Sequence, residues 1–198
     1  YSSLCESGTV TASFTVTAAP AVVIHKPDNA TASACDYADQ AAVDAAFASW
    51  LQGFTKSGGC GLTASYGTPT APVLCTGGTT MVTYTYSSLC ESGTVTASFT
   101  VTAAPAVVIH KPDNATASAC DYADQAAVDA AFASWLQGFT KSGGCGLTAS
   151  YGTPTAPVLC TGGTTMVTYT YSSLCESGTV TASFTVTAAP AVVIHKPD

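Results

Sequence analysis

The residues best equipped for chemistry in this sequence are its cysteines. Cys35, Cys60, Cys75 and Cys90 stand 25, 15 and 15 residues apart, the same intervals return at Cys120, Cys145, Cys160 and Cys175, and Cys5 is left over. A thiolate can ligate zinc, act as a nucleophile or close a cystine. Structural zinc sites draw ligands from close pairs, two to four residues apart, and these intervals contain none. A nucleophilic cysteine needs a base held by a third group. The one histidine per repeat, His25, ends the apolar run AVVI and has no partner placed to complete a triad. Two cystines per repeat are the expectation, and they fit an oxidising, extracellular setting.

Four cysteines allow three pairings. A 75–90 bond would have to close over residues 79–86, an alternating stretch whose eight residues, as a strand, hold their ends roughly 25 Å apart. A 35–60 bond would have to close over a helix. Two arrangements survive: 35–75 with 60–90, or 35–90 with 60–75. In an up-and-down sandwich Cys35 and Cys75 fall at one end and Cys60 and Cys90 at the other. The expected bonds are therefore Cys35–Cys75 and Cys60–Cys90, with Cys120–Cys160 and Cys145–Cys175 in the second copy. Cys5 stays unpaired because its unit is truncated.

Other polar groups are candidates for binding. Asp36, Asp39 and Asp44 lack the alternating oxygen ligands of a calcium loop and read as a helix cap with solvated acids. Asp28–Asn29 is a second calcium candidate, near the junction between repeats. Calcium aside, no cofactor is expected. The NAT triplets at 29–31 and 114–116 fit the N-glycosylation pattern. Trp50, Tyr66, Tyr84 and Tyr86 could build a sugar platform, although periodicity assigns Trp50 and Tyr84 to the core. Gly58–Gly59 lacks the Lys-Ser/Thr of a phosphate loop. No catalytic constellation emerges, and the chain is not expected to be an enzyme.

The elements that position these residues follow from a repeat. YSSLCESGTVTASFTVTAAP stands at 1–20, 86–105 and 171–190, and the whole chain matches itself at an offset of 85. A period of this length suits one small domain per repeat rather than a solenoid turn. Residues 94–102, TVTASFTVT, alternate strictly, with Val95, Ala97, Phe99 and Val101 on one face, as a half-buried strand does. The stretch ends at AAP, where proline cannot join a ladder. Complete domains are expected at 21–105 and 106–190, with 1–20 the last hairpin of a preceding repeat and 191–198 the first strand of a following one.

Within a repeat, DYADQAAVDAAFASWLQGFTKSGG is the single helical stretch, with Gly58–Gly59 beyond its stop signal. Val43, Phe47, Trp50, Leu51 and Phe54 form one apolar stripe, and Asp39 is its N-cap. Strands are expected at 22–26, within 31–35, and at 62–66, 73–75, 79–86 and 94–103. The fold class predicted is mainly β: tandem immunoglobulin-like sandwiches, each with one short amphipathic helix and two cystines. The linker Ala103, Ala104, Pro105 and Ala106 contains no Gly or Ser, and Pro105 restricts itself and Ala104 to extended geometry. Successive domains should join stiffly.

The net charge is −7, only 9% of residues are charged and arginine is absent, so nucleic acid is excluded as a partner. No apolar run approaches the ~20 residues of a membrane span, so membrane insertion is not expected either.

The stretches ADQAAVDAAFASWLQGFTKSGGC, GTPTAPVLCTGGTTMVTYT and CESGTVTASFTVTAAP resemble the tandem HYR-like, immunoglobulin-like repeats of giant Bacteroidota surface proteins, of which SprB-type gliding adhesins are representatives. The resemblance covers the whole repeat. It implies a very long chain exported by the type IX route, displayed as a filament on the bacterial cell surface and contacting polysaccharide or a substratum through regions outside this sequence. It brings no catalytic residues. The expected function is the structural stalk of such an adhesin, with neighbouring repeats as the immediate partners. The alternatives are a multivalent array of weak glycan or calcium sites, and a short subunit that polymerises by strand exchange through residues 1–20.

Overall fold

A computed structural model describes residues 4–195. Two structural units, or beads, follow one another with matching elements. The first contains β1 (Val23–His25), β2 (Ala30–Ser33), a 3₁₀ turn (Ala34–Asp36), α1 (Gln40–Leu51), β3 (Thr55–Ser57), β4 (Thr63–Ser65), β5 (Gly78–Ser87) and β6 (Ser92–Thr102). The second repeats them as β7 (Val108–His110), β8 (Ala115–Ser118), a 3₁₀ turn (Ala119–Asp121), α2 (Gln125–Leu136), β9 (Thr140–Ser142), β10 (Thr148–Ser150), β11 (Gly163–Ser172) and β12 (Ser177–Thr187).

The protein is mainly β and sandwich-like. In the first bead a four-stranded sheet has the order β2-β6-β5-β4, and a ribbon of β1 and β3 lies apart from it. β5 and β6 form a long antiparallel hairpin, in register from Gly78↔Val101 to Ser87↔Ser92. β2 joins the outer edge of β6 in parallel, Ala30↔Phe99 to Ser33↔Thr102. The alternation of TVTASFTVT does what its period requires: Ala97, Phe99 and Val101 are buried, while Thr94, Thr96 and Thr102 face water. Across the hairpin, the hydroxyls of Thr79 and Thr100 meet at 2.9 Å.

Helix α1 covers the inner face of this sheet. Asp39 caps it, accepting the Ala42 N–H at 2.8 Å. Of the predicted stripe, Val43 and Phe47 are buried, Trp50 and Leu51 are half-buried, and Phe54 is buried just beyond the helix end. Phe47 packs edge-on to Phe99 with ring centroids 5.4 Å apart, and the Trp50 indole donates to the Asp28 carbonyl at 2.8 Å. Tyr66 and Tyr84 join Phe54 in the same aromatic cluster. They are core residues rather than a sugar platform.

Three expectations are corrected. β3, with the polar sequence TKS, lies in the stretch expected to be helical and carries no apolar alternation; backbone pairing with β1 makes it a strand. The strand expected at 73–75 reduces to a single bridge, Val73↔Gly77, because the chain turns there. Residues 7–17 match β6 letter for letter yet belong to no named strand, and Val10, Phe14 and Val16 are exposed. A copy of β5, the partner that makes β6 a strand, is not present within residues 4–20. Residues 191–195 likewise form no strand, and 196–198 lie outside the described residues.

Candidate functional site: the junction between beads

Each bead has two ends, defined by the long strand β6. At its C-terminal end stand Cys35, which follows β2, and Cys75, which precedes β5; the Cys75 carbonyl accepts the Ala104 N–H at 3.4 Å. At the opposite end stand Cys60 and the hairpin-turn residue Cys90, held together by the Leu89 N–H donating to the Cys60 carbonyl at 3.0 Å. An eleven-residue strand spans about 33–37 Å, so bonds from one end of a bead to the other are out of reach. The sorting of cysteines by end is as expected. The pairing is not.

The cystines are Cys35–Cys145 and Cys75–Cys175, with Cα atoms 5.1 and 5.5 Å apart. Both cross from the first bead to the second. The expected Cys35–Cys75, Cys60–Cys90, Cys120–Cys160 and Cys145–Cys175 bonds are therefore absent. At the junction the pair at the C-terminal end of the first bead is bonded to the pair at the opposite end of the second. Cys60, Cys90, Cys120 and Cys160 remain thiols, as does the exposed Cys5.

The linker is fastened on both sides of the crossing. Ala104 packs against the first core and is bonded to Cys75, while the Pro105 carbonyl accepts the Gly144 N–H of the second bead at 3.1 Å. Gly143 has φ +76, and a Cβ on it would stand 1.9 Å from the Ala106 carbonyl oxygen. Only glycine lets the two segments come this close. A hollow lined by Cys75, Pro105, Val107, Gly144, Cys175 and Glu176 lies between the beads. The Tyr171 phenol donates to the Glu176 carboxylate at 3.4 Å. Partial desolvation, then the Glu176 charge and this bond, raise its pKa above the ordinary tyrosine value.

Magnitudes show which contact dominates. A linker hydrogen bond contributes about 1 kcal/mol net, whereas by the chain-entropy account a cystine closing a loop of ~100 residues contributes about 4–5 kcal/mol. The two crossing cystines close loops of 110 and 100 residues. They hold the junction, and the linker sets its register.

One positioning residue escaped the sequence reading. Gln40, the first residue of α1, accepts the Leu74 N–H at 2.8 Å and donates to the Pro72 carbonyl at 3.1 Å and to Asp44 at 2.9 Å. It ties the helix start to the segment that delivers Cys75. The i, i+4 spacing of Gln40 and Asp44 was legible, but the reach to a loop over thirty residues away was not.

The remaining candidates are occupied locally. Asp36 accepts the Ser33 N–H in a capping box, Asp39 caps α1, and the Asn29 side chain accepts the Ser98 N–H at 3.0 Å. Among the described residues no group of three His, Cys, Asp or Glu side chains could hold a metal ion. His25 is exposed on the β1–β3 ribbon, opposite Thr55. Among the described residues no helix is long and apolar enough to cross a membrane.

No known protein family matches the chain, and no curated protein is similar to it. Among solved structures, it aligns with an endo-fucoidan hydrolase of glycoside hydrolase family 107 and with a variant of the same enzyme, at 12% and 13% identity. Each alignment covers 85% of this chain and 29% of the enzyme, with a TM-score of 0.26. At that score the likeness carries no argument about fold or activity.

Proposed function

We propose that this chain is a load-bearing segment of an extracellular stalk, a string of beads in a bacterial cell-surface adhesin filament that holds an adhesive tip away from the cell, in the manner of gliding-motility adhesins. The observation that supports this reading is the pair of cystines spanning the junction. A binding or catalytic domain has no need to be bolted to its neighbour twice; a rod that must resist pulling and bending does. The covalent route for force leaves the first bead at Cys35 and Cys75 and enters the second at Cys145 and Cys175, bypassing the linker. Oxidising conditions, which both cystines require, match an exported location.

The experiment is force extension of the chain, held by its two ends, before and after reduction. Cys35–Cys145 removes 110 residues from the extensible path. Reduction should lengthen the fully unfolded chain by roughly 360–400 Å, at ~3.3–3.6 Å per residue. An unchanged length would mean that the cystines carry no load.

A second reading, an array of weak binding sites, has one observation in its favour. An open groove between helix and loop, lined by Phe47, Ala48, Leu51, Pro69 and Ala71, recurs in the second bead around Phe132 and Leu136. Identical grooves would multiply a weak affinity. Titration of oligosaccharides into the chain, followed at Trp50 and Trp135 by fluorescence, tests it.

A further inference from the structure

We propose that Cys75–Cys175 is a thiol–disulfide exchange site for small neutral or cationic thiols, and that opening it turns the clamped junction into a pivot held by Cys35–Cys145. The two cystines are not equivalent. Cys75 and Cys175 are both half-buried, and both line the hollow of about 220 Å³ between the beads. In Cys35–Cys145, Cys35 is exposed but Cys145 is only 6% exposed. The inference concerns the chemistry of the junction and holds whether or not the chain bears load.

A thiolate that attacks one sulfur of a cystine must expel the other as a thiolate. At Cys35–Cys145 both routes are poor. Attack at Cys145 needs a charged thiolate to enter a buried site, and attack at Cys35 expels the Cys145 thiolate into one. Burial in apolar surroundings raises the pKa of a thiol, and a sulfur of higher pKa leaves more slowly. At Cys75–Cys175 either sulfur can be approached from the hollow, and either can leave half-solvated.

Charge selects the thiol. Besides its two cysteines, the hollow is lined by one ionisable side chain, Glu176, which follows Cys175 directly. Glu176 is exposed, and its carboxylate accepts the Tyr171 phenol. The single negative charge disfavours an anionic thiol at this mouth and favours a cationic one, an effect that salt screens.

In the first step the small thiolate bonds to one sulfur of Cys75–Cys175, and the other leaves as a thiolate and takes up a proton. A second small thiolate then attacks the small-thiol sulfur of this mixed disulfide and releases the second cysteine, which is protonated in turn. Two small thiols are oxidised to their disulfide, and the cystine gains two electrons and two protons. The Ala104–Cys75 and Gly144–Pro105 backbone bonds do not depend on this cystine, so the beads stay adjacent. Of the two covalent short cuts through the chain, the one through Cys35–Cys145 bypasses more residues, 110 against 100. Opening Cys75–Cys175 therefore adds freedom to bend but no length.

The test uses the 198-residue chain with its thiols first blocked by N-ethylmaleimide. Cysteamine is added, and new thiols are trapped at intervals with iodoacetamide and located by peptide mapping. Cys75 and Cys175 should be labelled roughly tenfold faster than Cys35 and Cys145, leaving a population that carries Cys35–Cys145 alone. In denaturant the two cystines should open at similar rates, because the protection belongs to the fold. Cysteamine should open Cys75–Cys175 several-fold faster than thioglycolate does, each rate taken relative to that thiol's rate on a small uncharged disulfide. Glu176→Gln or high salt should narrow this gap. Force extension of the singly opened chain should reach the same maximal length as the oxidised chain. Equal rates at the two native cystines, or faster opening of Cys35–Cys145, would overturn the proposal, as would thioglycolate matching cysteamine. The load-bearing reading is tested by the length released on full reduction, so either can fail while the other stands.

Discussion

Gly143 shows how far the junction rests on the absence of a side chain. Its φ of +76 and the Ala106 oxygen 1.9 Å from a would-be Cβ penalise alanine twice, by backbone strain and by collision. Gly146 has a similar φ of +63, but nothing lies within 4 Å of a Cβ there. Gly146→Ala should therefore cost about 1–2 kcal/mol of backbone strain and leave Cys35–Cys145 intact. Gly143→Ala should push residues 105–107 off the second bead and lower the yield of that cystine. Thiol titration of the two refolded variants checks the contrast. Similar yields would show that the close approach at Gly143 does not set the register. In the sequence, Gly143–Gly144 reads only as a helix-stop or turn signal. What it touches is set by residues nearly forty positions earlier.

Among the elements, α1 does two jobs. Its apolar face seals the sheet, which the spacing of Val43, Phe47 and Trp50 makes legible. Its first residue pins the Cys75 segment, which no local pattern reveals. Gln40→Leu keeps the size of the side chain but leaves the Leu74 N–H and the Pro72 carbonyl without this partner. A partly buried unpaired group costs about 1–3 kcal/mol. We expect that loss in denaturant unfolding, together with slower closure of Cys75–Cys175 and little change at Cys35–Cys145. Equal slowing at both bonds would mean a general loss of the fold rather than misplacement of one segment. Strand β3 marks the opposite limit of sequence reading. TKS has no apolar residue to register, and only its pairing with β1 makes it a strand.

For the whole molecule, the consequence is a chain whose shortest covalent path ignores most of its length. In an array built on this junction, each inner bead is entered at its Cys90 equivalent and left at its Cys75 equivalent, fifteen residues away in sequence. Fully unfolded, such a bead spans at most about 50–54 Å, against about 280–310 Å for all 85 residues. A three-bead chain carrying the same junction twice should show this ceiling for its middle bead when oxidised, and lose it on reduction. Pulling with and without a reductant measures it. Extension of the oxidised middle bead beyond the fifteen-residue limit would show that the cystines do not cross in the array.

The sequence by itself determined the repeat, the long β5–β6 hairpin, the helix with its cap and core stripe, and which cysteines share an end of a bead. All of these depend on local periodicity and on distances along one strand, which the letters carry. The tertiary structure alone decided which thiol meets which. Because the copies are identical, Cys60 and Cys145 have the same neighbours in sequence, and no spacing rule separates a partner inside the bead from one in the next. The partners meet where the Gly144 N–H bonds the Pro105 carbonyl and Gly143 passes close to Ala106, with the far end of one bead against the near end of its neighbour. That proximity exists only once both beads are folded.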